Sequence, residues 1–266
     1  MTDAVRDLDV RGTRMRVSVR RGTGTPLLLC NGIGASLDLL QPFVDRLDPA
    51  IPVVRFDVPG VGGSPLPRRP YSFFSLARLL GRLLDELGYD EFDVLGISWG
   101  GGLAQQLALQ HARRCRRLVL ASTAPGWMMV PAQPGVLRHL VTVRRYRDMS
   151  HAAAIAPDIY GGALRDDPDR VREILDGHSP LTSTRGYLLQ LLAAAGWTSL
   201  PLLPLLRQRT LILAGSDDPI IPLINARIMA ALIPHSELVI YDDGHLGLIV
   251  AADRLAPAVT GFLRAS

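Results

Sequence analysis

A single serine stands between glycines in the stretch GISWGG, residues 96–101. The stretch follows the apolar run EFDVL and precedes the helical pattern LAQQLALQHA, so Ser98 lies where a strand gives way to a helix. A G-x-S-x-G sequence at such a junction predicts a sharp turn that exposes the serine hydroxyl above the sheet. Gly96 and Gly100 suit this turn, because a β-carbon at either position would crowd it. The pattern is short enough to occur by chance, so the hypothesis of a catalytic serine depends on its partners.

The first partner that Ser98 needs is a base, because a serine hydroxyl is a weak nucleophile until its proton is taken. Of six histidines, His245 follows the last apolar run, in IYDDGHLGL. Its loop reaches the carboxyl edge of the expected sheet, where ligands bind in open α/β sheets. His111 ends a helical pattern on a face expected to be exposed, and His235 lies in the turn IPHSE. The other three lie in an insertion described below: His139, His151 and His178. We therefore predict His245 as the base.

The second partner is an acid that orients the histidine and stabilises its charged form. The stretch LILAGSDDPIIP offers two neighbouring carboxylates, Asp217 and Asp218, directly after a strand-like run. Either one preserves the Ser…Asp…His chain order that is typical of hydrolases with this serine turn. We favour Asp218, because Pro219 and the IIP that follows imply a bend turning that position toward the crevice. Asp217 remains the alternative.

Two further carboxylates, Asp242 and Asp243, lie close to His245 in sequence. Residues in such positions more often shape a turn or cap a helix. The position after the run RLVLAS, where another acid could stand, reads Thr123-Ala124-Pro125 and contains no carboxylate. These observations also favour the stretch around Asp218.

Acyl transfer also requires donors for the negative charge that develops on the carbonyl oxygen. The backbone N–H of Trp99, directly after the serine, is one predicted donor. The second should come from CNGIGAS, the loop after the third strand, where Gly32 and Gly34 let the backbone approach a substrate. The N–H of Ile33 between them is the predicted donor. A plain tight turn is the alternative role of these glycines.

Seven segments that could position these residues have strand character. TRMRVSVR, at residues 13–20, alternates polar and apolar residues, as a half-buried antiparallel strand does. Six short apolar runs suit strands that are covered on both faces: PLLLC, PVVRF, FDVLGI, RLVLAS, TLILAG and ELVIY. Helical patterns lie among them at residues 38–48, 72–88, 99–112, 222–232 and 253–264. This alternation predicts an α/β fold with a mostly parallel sheet.

Residues 125–206 break this alternation, with several helical patterns, many prolines and no strand-like run. They contain six large apolar or aromatic residues: Trp127, Met128, Met129, Tyr160, Tyr187 and Trp197. We predict a helical lid here, inserted into a core formed by residues 1–124 and 207–266. The candidate substrate-binding residues of this lid are Trp127, Met128, Tyr160 and Trp197. A helical layer that packs only for stability is the alternative.

Composition excludes several other classes of protein. The 266 residues are 48% hydrophobic and 20% charged, which is enough for one sizeable core. The net charge is +4, but the arginines are scattered and no basic run is interleaved with aromatics, so we expect no nucleic-acid partner.

The chain also lacks the signals of a metal site, a cofactor or a membrane segment. Cys30 and Cys115 have no metal-ligand spacing, so we expect two buried, reduced thiols, no metal and no cofactor. The start MTDAVRDLDV carries acids where a signal peptide needs a basic start and an apolar core. No apolar stretch reaches the ~20 residues that span a bilayer, so we expect a cytoplasmic protein without a transmembrane segment.

With these residues in place, the chain resembles the α/β-hydrolases, and more closely the intracellular medium-chain-length poly(3-hydroxyalkanoate) depolymerases. The resemblance runs across almost the whole chain. It is carried by these motifs: NGIGA, FDVPGVGGS, GISWGG, APDIYGG, GWTS, DDPIIPLIN and DDGHLGLI. The more specific signals are Asn31 where relatives usually have histidine, Trp99 in the serine motif, and the IYGG and GWTS stretches of the insertion.

The resemblance implies a mostly parallel eight-stranded sheet with a helical lid. It implies Ser98 as nucleophile, Asp218 as acid and His245 as base in the hydrolysis of an aliphatic polyester stored in cytoplasmic granules. The protein would then work at the granule surface. Two alternatives remain: a small-molecule carboxylesterase or lactonase on the same fold, and a non-catalytic granule-associated binding protein.

Overall fold

The computed structural model describes residues 4–140, 148–165, 167–176 and 183–265. Eight strands form one sheet in the order β1-β2-β4-β3-β5-β6-β7-β8. Their bounds are β1 Ala4–Val10, β2 Thr13–Arg20, β3 Leu27–Cys30, β4 Val53–Phe56, β5 Phe92–Ile97, β6 Cys115–Ala121, β7 Arg209–Gly215 and β8 Ser236–Tyr241. The strands from β3 to β8 are parallel to one another, while β2 pairs antiparallel with both β1 and β4. The predicted α/β fold with a mostly parallel eight-stranded sheet is confirmed.

Helices cover both faces of this sheet. Their bounds are α1 Gln41–Arg46, α2 Phe73–Glu86, α3 Trp99–Gln110, α4 Pro134–Leu140, α5 Met149–Tyr160, α6 Pro168–Asp176, α7 Thr184–Ala194, α8 Ile224–Leu232, α9 Gly247–Val250 and α10 Ala252–Arg264. One apolar core lies between the sheet and α2, α3 and α8, and a second lies between the sheet and α1, α9 and α10. Successive side chains of a strand point to opposite faces, so Leu28 enters the first core and Leu27 and Leu29 enter the second. This two-sided burial explains why apolar residues dominate both faces of the central strands.

Seven of the eight strands in this sheet were identified from the sequence, and β1 was not. It forms the edge of the sheet, and only Val10 of its seven residues is buried. Its side chains therefore give little indication in the sequence of a strand packed on a core. Arg11 and Gly12 join it to β2 with φ angles of 54° and 83°. Two consecutive residues with positive φ form the tight hairpin turn whose twist matches antiparallel strands.

His111 also differs from expectation, since it is half-buried rather than exposed. Its ring lies over Gly81 of α2, and its Nε2 is 3.2 Å from the carbonyl oxygen of Ala77. Burial lowers the pKa of this histidine. Its contacts make it a packing residue between α2 and the end of α3.

The chain between β6 and β7, residues 122–208, contains α4 to α7 and is called the β6–β7 segment below. Its described part contains no strand, and one isolated bridge pairs Gly126 with Thr198 near its two ends. Residues 141–147, 166 and 177–182, and with them His178, lie outside the described residues. The segment has a small apolar core of its own, formed by Ala132, Val136, Ile155, Ala156, Ile159, Tyr160, Leu164 and Val171.

The backbone of helix α7 comes very close to the loop after β4 at Gly186. A β-carbon added at Gly186 would lie 1.8 Å from the carbonyl oxygen of Gly60, in the loop after β4. Gly186→Ala should therefore destabilise the fold by about 1–3 kcal/mol, the usual cost of overpacking. Thermal unfolding measures this loss.

Gly135→Ala is the matched control, because Gly135 lies in α4 of the same segment and has nothing within 4 Å of an added β-carbon. An alanine there should be neutral or slightly stabilising. Equal unfolding temperatures for the two variants would contradict the close backbone contact at Gly186.

Candidate active site

Ser98 lies in a sharp turn between β5 and α3, with φ 54° and ψ −123°. The turn is tight enough to demand glycine on either side of the serine. A β-carbon at Gly96 would lie 2.3 Å from the carbonyl oxygen of Gly100, and one at Gly100 would lie 2.1 Å from that of Cys30. Both predicted glycine roles thus correspond to close backbone contacts.

Hydrogen bonds from neighbouring strands hold this unusual backbone in place. The Ser98 N–H donates to the carbonyl oxygen of Ala121 at the end of β6, at 3.0 Å. The Ser98 carbonyl oxygen accepts from the N–H of Gly101 at 2.9 Å and from the hydroxyl of Thr123 at 2.7 Å. Positive φ costs a non-glycine residue energy, and such strain persists only where surrounding contacts hold it. The serine hydroxyl is therefore fixed at the carboxyl edge of the sheet.

The structure brings Ser98, His245 and Asp218 into one hydrogen-bonded chain. The Ser98 hydroxyl oxygen lies 3.1 Å from Nε2 of His245, and Nδ1 of His245 lies 2.8 Å and 3.0 Å from the two carboxylate oxygens of Asp218. The imidazole and the carboxylate are both buried. An ionised carboxylate can only accept, so Nδ1 carries the proton and Nε2 presents its lone pair to the serine hydroxyl. This tautomer can accept a proton from Ser98.

The two neighbouring aspartates after β7 point in different directions. Oδ1 of Asp218 accepts the backbone N–H groups of Ile220 and Ile221 at 3.0 Å and 2.9 Å, which turns the carboxylate inward. Asp217 instead pairs with Arg165 at 2.6 Å and accepts the N–H of Gly162 at 2.8 Å. The hydrogen bond from Arg165 lowers the pKa of Asp217. Asp217 therefore fastens the β6–β7 segment and does not contact His245.

The loop that carries His245 is also fastened to the β6–β7 segment. The His245 N–H donates to the carbonyl oxygen of Tyr160 at 2.7 Å. Oδ1 of Asp243 accepts the N–H groups of Gly244 and Ala163 at 2.7 Å and 3.1 Å. Asp243 thus shapes this turn, as its position in the sequence suggested.

The predicted oxyanion donors lie at the start of α3 and in the loop after β3. Trp99 is the first residue of α3, so its backbone N–H has no acceptor within the helix. Ile33 lies in the loop after β3, where a β-carbon on the preceding Gly32 would lie 3.8 Å from Cβ of Ser98. Asn31 braces this loop: its amide donates to the carbonyl oxygen of Ser36 at 2.5 Å, and its side-chain oxygen accepts the Gly32 N–H at 3.0 Å.

Two apolar cavities meet at the serine. They have volumes of about 340 Å³ and 240 Å³ and share four lining residues: Ser98, Trp99, Met129 and Ala194. The larger cavity also contacts His245 and the loop after β3 at residues 31–35, which is called the oxyanion loop below after its predicted role. Its other walls include Leu39, Tyr160, Tyr187, Leu191, Ile220 and Leu246. The smaller cavity is also lined by Phe73, Gly102, Thr123, Ala124, Gly126, Trp127, Trp197 and Ile221.

The four residues predicted for the lid surface have different environments. Tyr160 lines the larger cavity, and Trp127 and Trp197 line the smaller one. Met128 is 48% exposed and is absent from the described lining of both cavities, whereas the adjacent Met129 lines both. Residues 127–129 form a turn rather than a regular helix, so periodicity could not indicate which methionine faces inward.

Sequence reasoning missed Phe73 and Gln190. Phe73 packs edge-on against both Trp99 and Trp197, with ring centroids 4.7 Å and 4.8 Å apart. Gln190 is buried in α7 and hydrogen-bonds to Gly34 and Trp99. The sequence feature that could have identified Gln190 is its place as the one polar residue in the apolar run LLQLLAAA.

In the part of the chain that the structure describes, no group of three or more His, Cys, Asp or Glu side chains could hold a metal ion. Among those same residues, no helix is both long and apolar enough to cross a bilayer.

Comparison with known proteins agrees with this geometry. The sequence profile described as alpha/beta hydrolase fold matches residues 25–252. Over 264 residues, the chain is 48% identical to poly(3-hydroxyalkanoate) depolymerase of Ectopseudomonas oleovorans, covering 97% of this chain and 92% of the relative.

Two solved structures have the same fold. A hydrolase from Pseudomonas aeruginosa PA01 superposes with a TM-score of 0.80 at 27% identity, covering 98% of each chain. The enol-lactonase from Burkholderia xenovorans LB400 superposes with a TM-score of 0.82 at 24% identity, covering 98% of this chain and all of the other. The chain is therefore an ester hydrolase that belongs to the α/β-hydrolase fold family.

Proposed function

We propose that this protein hydrolyses the ester bonds of an aliphatic polyester, a poly(3-hydroxyalkanoate) with side chains of medium length. The proposal assigns Ser98 as the nucleophile, His245 as the general base and acid, and Asp218 as the group that orients His245. The hydrogen-bonded chain from Ser98 to Asp218 supports these roles. The 48% identity to a poly(3-hydroxyalkanoate) depolymerase supports the substrate class.

The reaction proceeds through an acyl-enzyme. Nε2 of His245 takes the hydroxyl proton while Oγ of Ser98 attacks the ester carbonyl, and the negative charge develops on the former carbonyl oxygen. The backbone N–H groups of Ile33 and Trp99 donate hydrogen bonds to that oxygen. The carbon–oxygen bond to the leaving group breaks as His245 returns the proton to the leaving alkoxide. A water molecule, deprotonated by His245, then hydrolyses the acyl-serine and frees the acid.

The observation that carries the choice of substrate is the pair of apolar cavities that meet at Ser98. In a polyester, both the acyl and the alcohol sides of the scissile bond bear hydrocarbon groups, so each side needs an apolar compartment. A methyl ester or a small lactone would occupy one compartment and leave the other exposed to water. Each CH₂ group that is buried contributes about 0.8 kcal/mol, which favours longer side chains.

We further propose that residues 125–206 form the lid of this site. Met129, Tyr160, Tyr187 and Trp197 of these residues line the cavities. Trp127 both lines the smaller cavity and is 63% exposed, so it lies at a mouth of the site. A lid with an apolar outer edge suits an enzyme that works on the surface of a water-insoluble polymer. The proposed location is accordingly the surface of cytoplasmic storage granules.

A small-molecule carboxylesterase or lactonase is the second candidate, favoured by the similarity in fold to an enol-lactonase. Comparing turnover of amorphous polyester granules with that of short p-nitrophenyl esters separates the two functions. Release of 3-hydroxy acids or oligomers from granules is the expected result. Rapid turnover of short esters without any release from granules would favour the second candidate.

Ser98→Ala should abolish ester hydrolysis, with a loss of kcat on the order of 10⁶-fold, because the covalent nucleophile is removed. The same variant should lose labelling by a fluorophosphonate probe, while its thermal unfolding stays close to that of the parent. A parent protein that the probe does not label would favour a non-catalytic binding protein. Substantial turnover by the alanine variant, with contamination excluded, would disprove the assignment of the nucleophile.

Asp218→Asn should reduce kcat by about 10⁴-fold, because an amide no longer stabilises the protonated His245 or the required tautomer. Asp217→Asn is the matched control. It removes a half-exposed ion pair with Arg165, which contributes at most about 1 kcal/mol. Steady-state kinetics on one p-nitrophenyl ester compares the two variants. Equal losses in the two variants would contradict the assignment of Asp218 as the acid. A larger loss in Asp217→Asn would assign that role to Asp217.

Trp127→Ala should weaken hydrolysis of medium-chain esters about 10-fold or more, because a long acyl or alcohol chain loses its apolar contact. Acetyl esters are too short to reach Trp127 and should be hydrolysed at nearly the parent rate. Phe74→Ala is the matched control, since Phe74 is 52% exposed on α2 and lines neither cavity. A uniform loss on all esters together with a lower unfolding temperature would show that Trp127 is structural.

A further inference from the structure

Gln190 occupies an unusual place on α7. It is 1% exposed, and leucines and alanines surround it in the sequence LLQLLAAA. A buried polar side chain is costly unless it is hydrogen-bonded. Gln190 therefore needs hydrogen-bond partners to be stable at this buried position.

Two hydrogen bonds connect Gln190 to the loop after β3 and to the first residue of α3. The backbone N–H of Gly34 donates to Oε1 of Gln190 at 2.7 Å. The indole Nε1–H of Trp99 donates to the backbone carbonyl oxygen of Gln190 at 2.8 Å. One residue of the β6–β7 segment thus holds both the oxyanion loop and the residue that follows the nucleophile.

The oxyanion loop needs the hydrogen bond to Gln190 because the glycines on either side of Ile33 make its backbone flexible. Ile33 stands between Gly32 and Gly34, and Gly34 has a φ of 74°. Glycine restricts the backbone least of all residues, so the direction of the Ile33 N–H depends on the contacts that hold the loop, from Asn31 within it and from Gln190 on α7. The hydrogen bond from Gly34 to Gln190 orients the peptide group that directly follows Ile33.

We propose that Gln190 is a positioning residue that couples the docking of α7 to the formation of the oxyanion hole. The inference rests on the proposed acyl-transfer function and adds a condition to it. The hole is complete only when α7 is seated, because Gln190 holds the loop of Ile33 through Gly34 and holds Trp99 through its indole. A displaced α7 would leave Ser98, His245 and Asp218 in contact but would slow the attack on the ester.

The size of the effect follows from the geometry that oxyanion stabilisation requires. Removing one donor from an oxyanion hole costs about 10²- to 10³-fold in kcat. Gln190→Met removes the side-chain acceptor with little change of volume and leaves the Gly34 N–H buried without it. The Ile33 N–H is then misdirected rather than lost, so we expect kcat to fall about 10- to 100-fold.

Gln106→Met is the matched control. Oε1 of Gln106 on α3 accepts the indole N–H of Trp197 at 2.8 Å. This is also a glutamine contact between the β6–β7 segment and the rest of the protein, but it does not involve the oxyanion loop. The variant should retain nearly the parent kcat.

The test uses p-nitrophenyl acetate, whose acetyl group is too small to depend on the shape of the cavities. The expected result is a lower kcat for Gln190→Met with KM within about twofold of the parent. A trifluoromethyl ketone, which forms a tetrahedral adduct with the serine, should lose affinity by a similar factor. A merely structural role would lower the unfolding temperature without this parallel loss.

Three results would overturn the inference: an unchanged kcat in Gln190→Met, a rise in KM alone, or an equal loss in Gln106→Met. If Gln190→Met does not fold, Trp99→Phe provides the test, since it removes the indole donor, keeps an aromatic ring beside Phe73 and keeps the backbone N–H. It should lower kcat and ketone affinity together, and unchanged values for both would again contradict the coupling. An inactive parent protein, or an active Ser98→Ala variant, would instead refute the proposed function.

Discussion

The backbone of Ser98, held at φ 54° and ψ −123°, is the constraint on which the rest of the site depends. Such a conformation costs a non-glycine residue about 1–3 kcal/mol. Contacts with the two neighbouring strands and the residue that follows one of them offset that cost: Cys30 of β3 lies against Gly100, Ala121 of β6 accepts the Ser98 N–H, and Thr123 donates to the Ser98 carbonyl oxygen. Because the turn is held from both sides of β5, the hydroxyl stays above the sheet edge. Asp218 and His245 reach the same edge from the ends of β7 and β8.

Much of this arrangement was predictable because local sequence encodes it. Apolar runs in the sequence indicated the buried strands, and the spacing of the glycines around Ser98 indicated the sharp turn. The choice of Asp218 over Asp217 followed from Pro219, and the inward turn of Asp218 onto Ile220 and Ile221 agrees with it. These signals share one property: each is written in residues that lie within a few positions of one another in the chain.

The features that escaped prediction depend on distant partners or on weak local patterns. Strand β1 is an edge strand with one buried residue, so its burial pattern was too sparse to recognise. Met129 rather than Met128 faces the cavities because an irregular turn sets its direction. Gln190 contacts Gly34, which lies 156 positions away in the chain. No local pattern encodes such a contact, and only the polar residue in an apolar helix hinted at it.

Three contacts join the β6–β7 segment to the loops of the active site, and they relate substrate choice to catalysis. The segment contacts the loop of His245 through Tyr160, the turn before Asp218 through Arg165, and the oxyanion loop through Gln190. Each of these contacts lies within two residues of a group that the proposed mechanism uses. The same segment supplies apolar walls to both cavities. In the proposed mechanism, a substrate that displaces the segment also displaces the loops that carry His245 and Ile33. Substrate fit and catalytic geometry would then be linked through these three contacts, which would make the segment part of the active site rather than a separate cover.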